Sequence, residues 1–277
     1  MTLSARKERL NQLLRAQGRT LVAYSGGVDS AFLAYAAARA LGEDMLAVIA
    51  DSPSLARTHL QDAVTFAEEQ RIPLQILQTS EMERPEYVRN DAQRCFHCKD
   101  ELFATMETFA AKQQFQTIAY GLNVDDQSDF RPGQLAAKQH RVAAPLLEAG
   151  LSKADIRELA RMADLRVWDK PASACLSSRI EYGRPVTREA LAAVEQGEDA
   201  LRALGFRQFR VRHHGEIARI EIARDELPAA MTMDMFSRLT EIFKGLGFTF
   251  VTLDTEGFRS GSMNSSLPGQ GLIKLLS

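Results

Sequence analysis

The chain has 277 residues, of which 45% are apolar and 25% are charged, and its formal net charge is −2. These values are typical of a globular protein with a sizeable core, and the near-neutral charge gives no overall attraction to nucleic acid or anionic lipid. No apolar run approaches the roughly 20 residues of a membrane span, and the first residues lack a signal-peptide pattern. We therefore expect a cytoplasmic protein that binds neither nucleic acid nor membrane.

Short apolar runs alternate with helical patterns over the first 170 residues. The runs predict strands at 20–24, 46–50, 74–77 and 117–120. Between them, apolar residues recur at helical spacing, and Ser152 with Asp155 resembles a capping box that begins a further helix. This alternation predicts an α/β fold of Rossmann-like type, with a parallel sheet covered by helices on both faces.

The pattern changes after residue 170. A helix from Thr187 is followed by predicted strands at 206–213, 216–223 and 248–253, with a helix before the last one. This part predicts a smaller α+β domain. The predicted domains are residues 1–170 and 171–277, and the Gly- and Ser-rich stretch 257–270 is expected to be loop or partly disordered.

A glycine turn follows the first predicted strand, with the sequence Ser25-Gly26-Gly27-Val28-Asp29-Ser30. Two glycines allow backbone to approach a phosphate, and the next helix points its amides and positive dipole end at the same place. The serine hydroxyls add donors, whereas Asp29 would place a cation or fix the turn. The lysine of a Walker motif and the GxGxxG spacing of dinucleotide folds are both absent from this string. A plain Gly-Gly turn is the simpler alternative, but the whole string in this context favours a phosphate site.

This string resembles the PP-loop of the ATP pyrophosphatases, which include GMP synthetase, NAD synthetase and tRNA thiolation enzymes. The resemblance implies that ATP is cleaved to AMP and pyrophosphate, with AMP transiently on the substrate. Two further segments match the group at the ends of predicted strands, where α/β sheets place ligands. Asp125 is the candidate for holding Mg²⁺, and Asp29 is a candidate catalytic residue. The implied nucleotide-binding residues are Ser25, Gly26, Gly27, Asp29, Ser30, Asp51, Ser52, Arg57, Gly121, Asn123 and Asp125.

The chain has three cysteines, Cys95 and Cys98 in a C-x-x-C and Cys175 far away in sequence. Small buried apolar residues are the simplest interpretation of free cysteines. Three functional alternatives are a structural zinc site with a fourth ligand such as His97, a redox-active disulfide, and a [4Fe-4S] cluster. A cluster held by three cysteines leaves one iron open to carry an extra sulfide.

Longer strings resemble the LarE family of ATP-dependent sulfur transferases, which help build the nickel-pincer nucleotide cofactor of lactate racemase. These strings span residues 174–183, 210–214 and 259–264. The resemblance implies adenylation of a carboxylate of pyridinium-3,5-biscarboxylic acid mononucleotide and its conversion to a thiocarboxylate. One branch spends the cysteine that matches Cys175, which becomes dehydroalanine. Another branch holds a [4Fe-4S] cluster with cysteines that match Cys95, Cys98 and Cys175, and the presence of all three favours this route here.

Four charged residues are candidates for binding the substrate. Arg210 and Arg212 share one strand face by alternation, and their guanidinium groups suit phosphate and carboxylate. Arg179 follows Cys175 by four residues and could lower the thiol pKa or hold a phosphate, and Glu198 could contact metal or substrate. Solvated surface positions are the alternative for all four. We expect a small-molecule nucleotide substrate and a homo-oligomer.

Three rival functions remain open at this point. A tRNA thiolase needs a basic RNA-binding surface, which the near-neutral charge does not favour. An ammonia-using synthetase leaves the cysteines without a task. An ATP-binding sensor would keep the phosphate turn and need neither Cys175 nor the arginine pair.

Overall fold

The computed structural model describes residues 1–128, 132–171, 174–259 and 263. The helices are α1 (Leu3–Ala16), α2 (Val28–Leu41), α3 (Arg57–Glu69), α4 (Pro85–Val88), α5 (Arg94–Gln113), α6 (Pro132–Gln139), α7 (Pro145–Glu148), α8 (Lys153–Met162), α9 (Arg188–Ala203), α10 (Leu227–Ala230) and α11 (Met233–Gly245). The strands are β1 (Thr20–Ala23), β2 (Met45–Asp51), β3 (Leu74–Gln78), β4 (Thr117–Tyr120), β5 (Phe209–His214), β6 (Ile217–Ile222) and β7 (Phe250–Leu253).

The first four strands form a parallel sheet in the order β3-β2-β1-β4. Alternate residues of the buried strands face opposite sides of the sheet. Val22, with α1, α2, α3 and α8, belongs to one core, whereas Leu21 belongs to another core with α5 and α6. The predicted parallel α/β sheet with helices on both faces is confirmed.

The strand order predicts a ligand crevice beside β1. The chain runs from β1 to β2 and β3 on one side, whereas β4 pairs with β1 on the other side. In open α/β sheets, ligands bind outside the carboxyl ends of the strands at such a reversal. The loops after β1 and β4 therefore flank the expected ligand crevice.

The second sheet has the order β5-β6-β7, with an antiparallel β5–β6 hairpin and a parallel β6–β7 pair. Gly215 forms the hairpin turn with a φ of 70°, a left-handed conformation that favours glycine. Phe209, Val211 and Ile220 on one sheet face pack with Leu201 of α9 and Phe243 of α11 in a single core. The predicted smaller α+β region is confirmed.

The described residues divide into two compact units, and the division is discontinuous. The first unit contains residues 1–81 and 95–173, and the second contains residues 82–94 and 174–277. Segment 82–94 falls in the predicted first domain but packs with the second unit. Asn90 Nδ2 donates to the carbonyls of Glu181 and Arg184 at 2.9 Å, and Val186 N donates to the carbonyl of Val88. These contacts are far apart in sequence, so no local pattern predicts them. The division into two domains of residues 1–170 and 171–277 remains a prediction.

One predicted family string and one predicted loop lie mostly outside the described residues. These are the string 259–264 and the Gly- and Ser-rich stretch 257–270.

Among the helices that the structure describes, none is both long and apolar enough to span a membrane.

Candidate active site

The predicted glycine turn joins β1 to α2 and is built as a close-packed corner. Gly26 has a φ of 71°, and a Cβ on it would lie 2.8 Å from Ala63 Cβ. Ser30 Oγ accepts from Ser25 N at 3.1 Å and donates to the carbonyl of Gly27 at 3.1 Å. A larger residue at Gly26 would therefore be strained and would also clash, while the Ser30 hydroxyl closes the turn.

The start of α2 offers its amides to an anion. Gly27 is the N-cap residue and supplies no side-chain hydrogen bond to the first turn. The first amides of a helix lack intrahelical acceptors and carry the positive end of the helix dipole. Such a helix start after a glycine turn is a phosphate-binding arrangement.

Asp29 in the first turn of α2 is oriented by a lysine that sequence analysis did not identify. Lys153 Nζ forms an ion pair with Asp29 Oδ2, and Asp29 Oδ1 is buried with no hydrogen-bond partner in the described part of the chain. Lys153 also donates its backbone N–H to Asp125 Oδ2 at 2.7 Å. The sequence showed only that Lys153 lies at the start of a capped helix. That its side chain lies near Asp29 depends on how α8 packs.

The loop after β4 packs directly on this helix start. A Cβ on Gly121 would lie 2.8 Å from Ser30 N and 3.0 Å from Ser30 Cα. Asn123 is buried, and its Oδ1 accepts from the backbone of Asp125 at 2.9 Å and of Asp126 at 3.2 Å. The structure thus brings Gly121 and Asp125 to the phosphate turn, while the Asn123 carbonyl holds the loop that carries Asp125.

The carboxyl end of β2 and the segment after it carry three of the predicted nucleotide-binding residues, Asp51, Ser52 and Arg57. Asp51 accepts from Arg57 Nη1 at 2.5 Å and from Gln78 Nε2 at 2.8 Å. Burial opposes ionisation of Asp51, but the hydrogen bonds of Arg57 and Gln78 and the charge of Arg57 outweigh it, so the pKa of this carboxyl lies below its usual range. Ser52 Oγ lies 2.8 Å from Ser54 Oγ, which donates to the buried Glu81 at 3.1 Å. Arg57 Nη2 also donates to the carbonyl of Ser52 at 2.8 Å, so Asp51, Ser52 and Arg57 form one connected network at the end of β2.

A second lysine supports the turn from another side. Lys170 Nζ donates to the carbonyl of Gly26 at 3.1 Å and pairs with Asp62, which also pairs with Arg166 at 2.5 Å. Burial raises the pKa of Asp62, but Lys170 and Arg166 outweigh that effect and lower it. Lys170 was not predicted, because it lies 144 residues from Gly26 and no local pattern marks it.

The two cysteines of the C-x-x-C lie in the first unit, at the start of α5. Cys95 and Cys98 are three residues apart on one helix, so their side chains share a face. None of the three cysteines forms a disulfide within the described part of the chain, and Cys95 and Cys175 are exposed whereas Cys98 is half-buried. Soft thiolates at this spacing suit two ligands of an iron–sulfur cluster. Cys175 belongs to the other unit, and among the described residues no group of three potential ligands is placed to hold a metal ion.

Arg179 holds the backbone on which Cys175 lies. Its side chain is 1% exposed, and its Nη1 donates to the carbonyls of Ala174 at 2.6 Å and Cys175 at 2.9 Å. Its Nε donates to Glu198 Oε1 at 2.9 Å, and Glu198 also accepts from Val211 N. Both residues are buried, so the solvated alternative does not hold for either. The pair fixes the exposed Cys175 to α9 and β5.

Arg210 and Arg212 lie on the sheet face opposite the core, as alternation predicts. Arg212 is buried and donates from Nη2 to the fully buried Glu221 at 2.8 Å. Arg210 lies 5.1 Å from the ring centre of Phe258, and burial, aided by repulsion from Arg179, lowers its pKa to about 10. A bound anion would favour the charged form of the Arg210 guanidinium, which burial and the neighbouring Arg179 and Arg212 disfavour and which Glu198 and Glu221 only partly support.

The fold and the phosphate turn together define an ATP-binding enzyme of the PP-loop type. In agreement, the family model of NAD synthase matches residues 3–108. The chain is 33% identical over 267 residues, 96% of each chain, to pyridinium-3,5-bisthiocarboxylic acid mononucleotide synthase of Lactiplantibacillus plantarum. It belongs to the family of that synthase, the LarE family of ATP-dependent sulfur transferases.

Two uncharacterised proteins are further relatives. One, from Synechocystis sp., is 40% identical over 265 residues, which are 96% of this chain and 99% of the relative. The other, from Methanocaldococcus jannaschii, is 26% identical over 242 residues, 87% of this chain and 91% of the relative. The similarity therefore covers both units.

Proposed function

We propose that the protein adenylates a carboxylate of pyridinium-3,5-biscarboxylic acid mononucleotide with ATP and replaces a carboxylate oxygen by sulfur. The first support is the similarity over 96% of both chains to a synthase named for the corresponding bisthiocarboxylic acid. The observation that carries the sulfur step is the exposed Cys175 thiol on a backbone that the buried Arg179 holds. A sensor that only binds ATP has no use for this construction.

ATP binding is assigned to the first unit. The amides of α2 and the turn Ser25–Ser30 would bind the phosphates, which Arg57 would also reach. Asp51 and Ser52 at the end of β2 would contact the adenosine. Asp29 and Asp125 offer the hard carboxylate oxygens that Mg²⁺ prefers, and the buried Oδ1 of Asp29 lacks a partner among the described side chains. Bound Mg²⁺ would neutralise charge on the departing pyrophosphate.

Adenylation makes an inert acid reactive. A carboxylate oxygen of the substrate forms a bond to the α-phosphorus of ATP, and the bond to the bridging oxygen breaks with release of pyrophosphate. A sulfur nucleophile then attacks the acyl carbon, and AMP leaves with the electron pair of the broken C–O bond. The nucleophile has to be a thiolate or sulfide, because a neutral thiol reacts poorly.

Substrate binding is assigned to the second unit. Arg210 would face a phosphate or carboxylate of the substrate, which suits its lowered pKa, and Arg212, held by the buried Glu221, would lie beside it on the same sheet face. Arg179 and Glu198 contribute by fixing the Cys175 backbone, since their polar atoms are engaged with each other and with main-chain groups.

The sulfur source in this proposal is a [4Fe-4S] cluster on Cys95, Cys98 and Cys175, which would supply a sulfide. Support comes from the thiol type and the one-face spacing of Cys95 and Cys98. The alternative spends Cys175. The thiolate forms a thioester, a base removes the α-proton of Cys175, and the Cβ–S bond breaks to leave dehydroalanine and the thiocarboxylate. A cytoplasmic location and a homo-oligomeric state remain parts of the proposal, and three described cysteines without a disulfide suit a reducing compartment.

The test is anaerobic purification with iron and sulfide analysis, followed by turnover with ATP, Mg²⁺ and the dicarboxylate mononucleotide. Pyrophosphate release that depends on the dicarboxylate, together with a sulfur-containing product, supports the function. Iron that is lost in Cys95→Ala, with Cys175 intact after turnover, supports the cluster. Loss of one H₂S from the Cys175 peptide establishes the sacrificial route instead. Absence of substrate-dependent pyrophosphate release contradicts the proposed function.

A further inference from the structure

Lys153 lies between two carboxylates of the nucleotide site. Its Nζ pairs with Asp29 in the first turn of α2, and its backbone N–H binds Asp125 in the loop after β4. The Lys153 side chain is 36% exposed and that of Asp29 is 19% exposed. An ammonium group is therefore placed at the helix start where the phosphates are assigned, within reach of solvent and of an incoming ligand.

The backbone of Lys153 is held more firmly than its side chain. Ser152 and Asp155 form a complete capping box at the start of α8, and Arg6 pairs with Asp155. Val124 N donates to the carbonyl of Leu151 at 3.0 Å, which ties the β4 loop to the residues before α8. The four-carbon stem of lysine can change rotamer while the backbone stays fixed.

The charges around the start of α2 explain why a polyphosphate would need a cation such as the Lys153 ammonium there. A helix start contributes only about half a positive charge, whereas Asp29 and Asp125 are both negative. A polyphosphate would be repelled by these carboxylates unless cations lie between them. The glycine turn has no lysine of its own. In the structure the Lys153 ammonium balances Asp29 on one oxygen, while the buried Asp29 Oδ1 has no hydrogen-bond partner among the residues described.

We propose that Lys153 is a catalytic residue of the adenylation step, and this rests on the proposed function. When MgATP binds, the ammonium leaves Asp29 for the β- and γ-phosphates, and the Asp29 carboxylate becomes available to Mg²⁺. As the bond from the α-phosphorus to the bridging oxygen breaks, the electron pair passes to pyrophosphate, and Lys153 stabilises that charge. Lys153 thus takes the place of the lysine that Walker-type loops carry within the turn.

Lys153→Met and Lys153→Arg test this inference against Lys112→Met, which removes one exposed lysine of α5. Pyrophosphate release is measured while MgATP is varied. Lys153→Met should lower kcat/KM for MgATP by about 100-fold, as for the loss of a preorganised charge contact in a transition state. Lys153→Arg should recover part of this loss, and Lys112→Met should match the wild type.

A second measurement does not depend on turnover. Mn²⁺ binding without nucleotide is followed by electron paramagnetic resonance. Lys153→Met should bind Mn²⁺ more tightly than the wild type, because the ammonium no longer competes for Asp29, and adding Asp29→Asn should remove this gain. A role in folding alone would not strengthen metal binding.

The outcomes separate this inference from the proposed function. A Lys153→Met variant with wild-type kcat/KM for MgATP overturns the inference, as does lost activity with unchanged Mn²⁺ and nucleotide affinity. If wild-type protein releases no pyrophosphate with the dicarboxylate, the proposed function fails. The Mn²⁺ titration and binding of a non-hydrolysable ATP analogue then still decide whether Lys153 belongs to the nucleotide site.

Discussion

The buried pair Arg179–Glu198 predicts a large stability effect in the second unit. Their side chains are 1% and 8% exposed and meet at 2.9 Å. Glu198→Ala leaves a guanidinium buried with main-chain carbonyls but without its counter-charge. Removing one partner of a buried ion pair costs about 3–5 kcal/mol. We therefore expect Glu198→Ala to lower the free energy of unfolding of this unit by about that amount.

The matched control is Asp199→Ala on the same helix. Asp199 pairs with Arg202, and both side chains are 47% exposed. An exposed pair of this type contributes about 0.3–0.5 kcal/mol. Hydrogen exchange of peptides from α9 and β5 in a urea series measures the free energy of unfolding of this unit in the full chain.

The double variant Arg179→Met/Glu198→Leu separates charge from packing. When both charges are removed, no uncompensated charge remains, so this variant should be more stable than Glu198→Ala. A loss of stability in Glu198→Ala no larger than that in Asp199→Ala would refute the predicted cost of the unpaired Arg179 charge. A double variant that loses at least as much stability as Glu198→Ala would refute it as well.

Two further predictions concern the first unit. Gly121→Ala should weaken MgATP binding about tenfold or more, because the new Cβ would press on the backbone of the first turn of α2 and overpacking costs about 1–3 kcal/mol; nucleotide titration checks this. His140 should stabilise the fold in acid. Burial lowers its pKa, but hydrogen bonds and charges of Asp100 and Glu107 outweigh burial and raise it. The contribution of His140 to the free energy of unfolding is fully present below the pKa of the unfolded state, about 6.5. It is lost as the pH rises through the higher pKa of the folded state.

The controls for these two predictions are separate. Gly245→Ala tests whether adding a methyl group is harmful in general, since a Cβ there would meet nothing within 4 Å; an equal loss of ATP affinity in both glycine variants would contradict the first prediction. For the second, the free energy of unfolding of wild type and His140→Gln is compared from about pH 5.5 to about pH 8.5. A difference that does not change with pH would show that protonation of His140 is not involved.

Local features of the sequence sufficed for much of the fold. Four short apolar runs separated by amphipathic helices predicted the parallel sheet, because strands that alternate with helices are typical of a parallel sheet with helices on both faces. Ser152 and Thr187 marked the starts of α8 and α9 correctly, since a cap depends on residues within one helical turn. The alternation of Arg210 and Arg212 placed them on one sheet face for the same local reason.

What surrounds each side chain was decided by tertiary structure. The alternation could not show that Arg212 is buried against Glu221, nor could one sequence position show that Arg179 is committed to Glu198 and the Cys175 carbonyl. Lys153 was visible only as part of a cap. Its approach to Asp29, 124 residues away, depends on packing of α8 beside α2. The sequence determined which groups could bind phosphate, but long-range packing decided which charges meet, because electrostatic interactions depend on distance and burial.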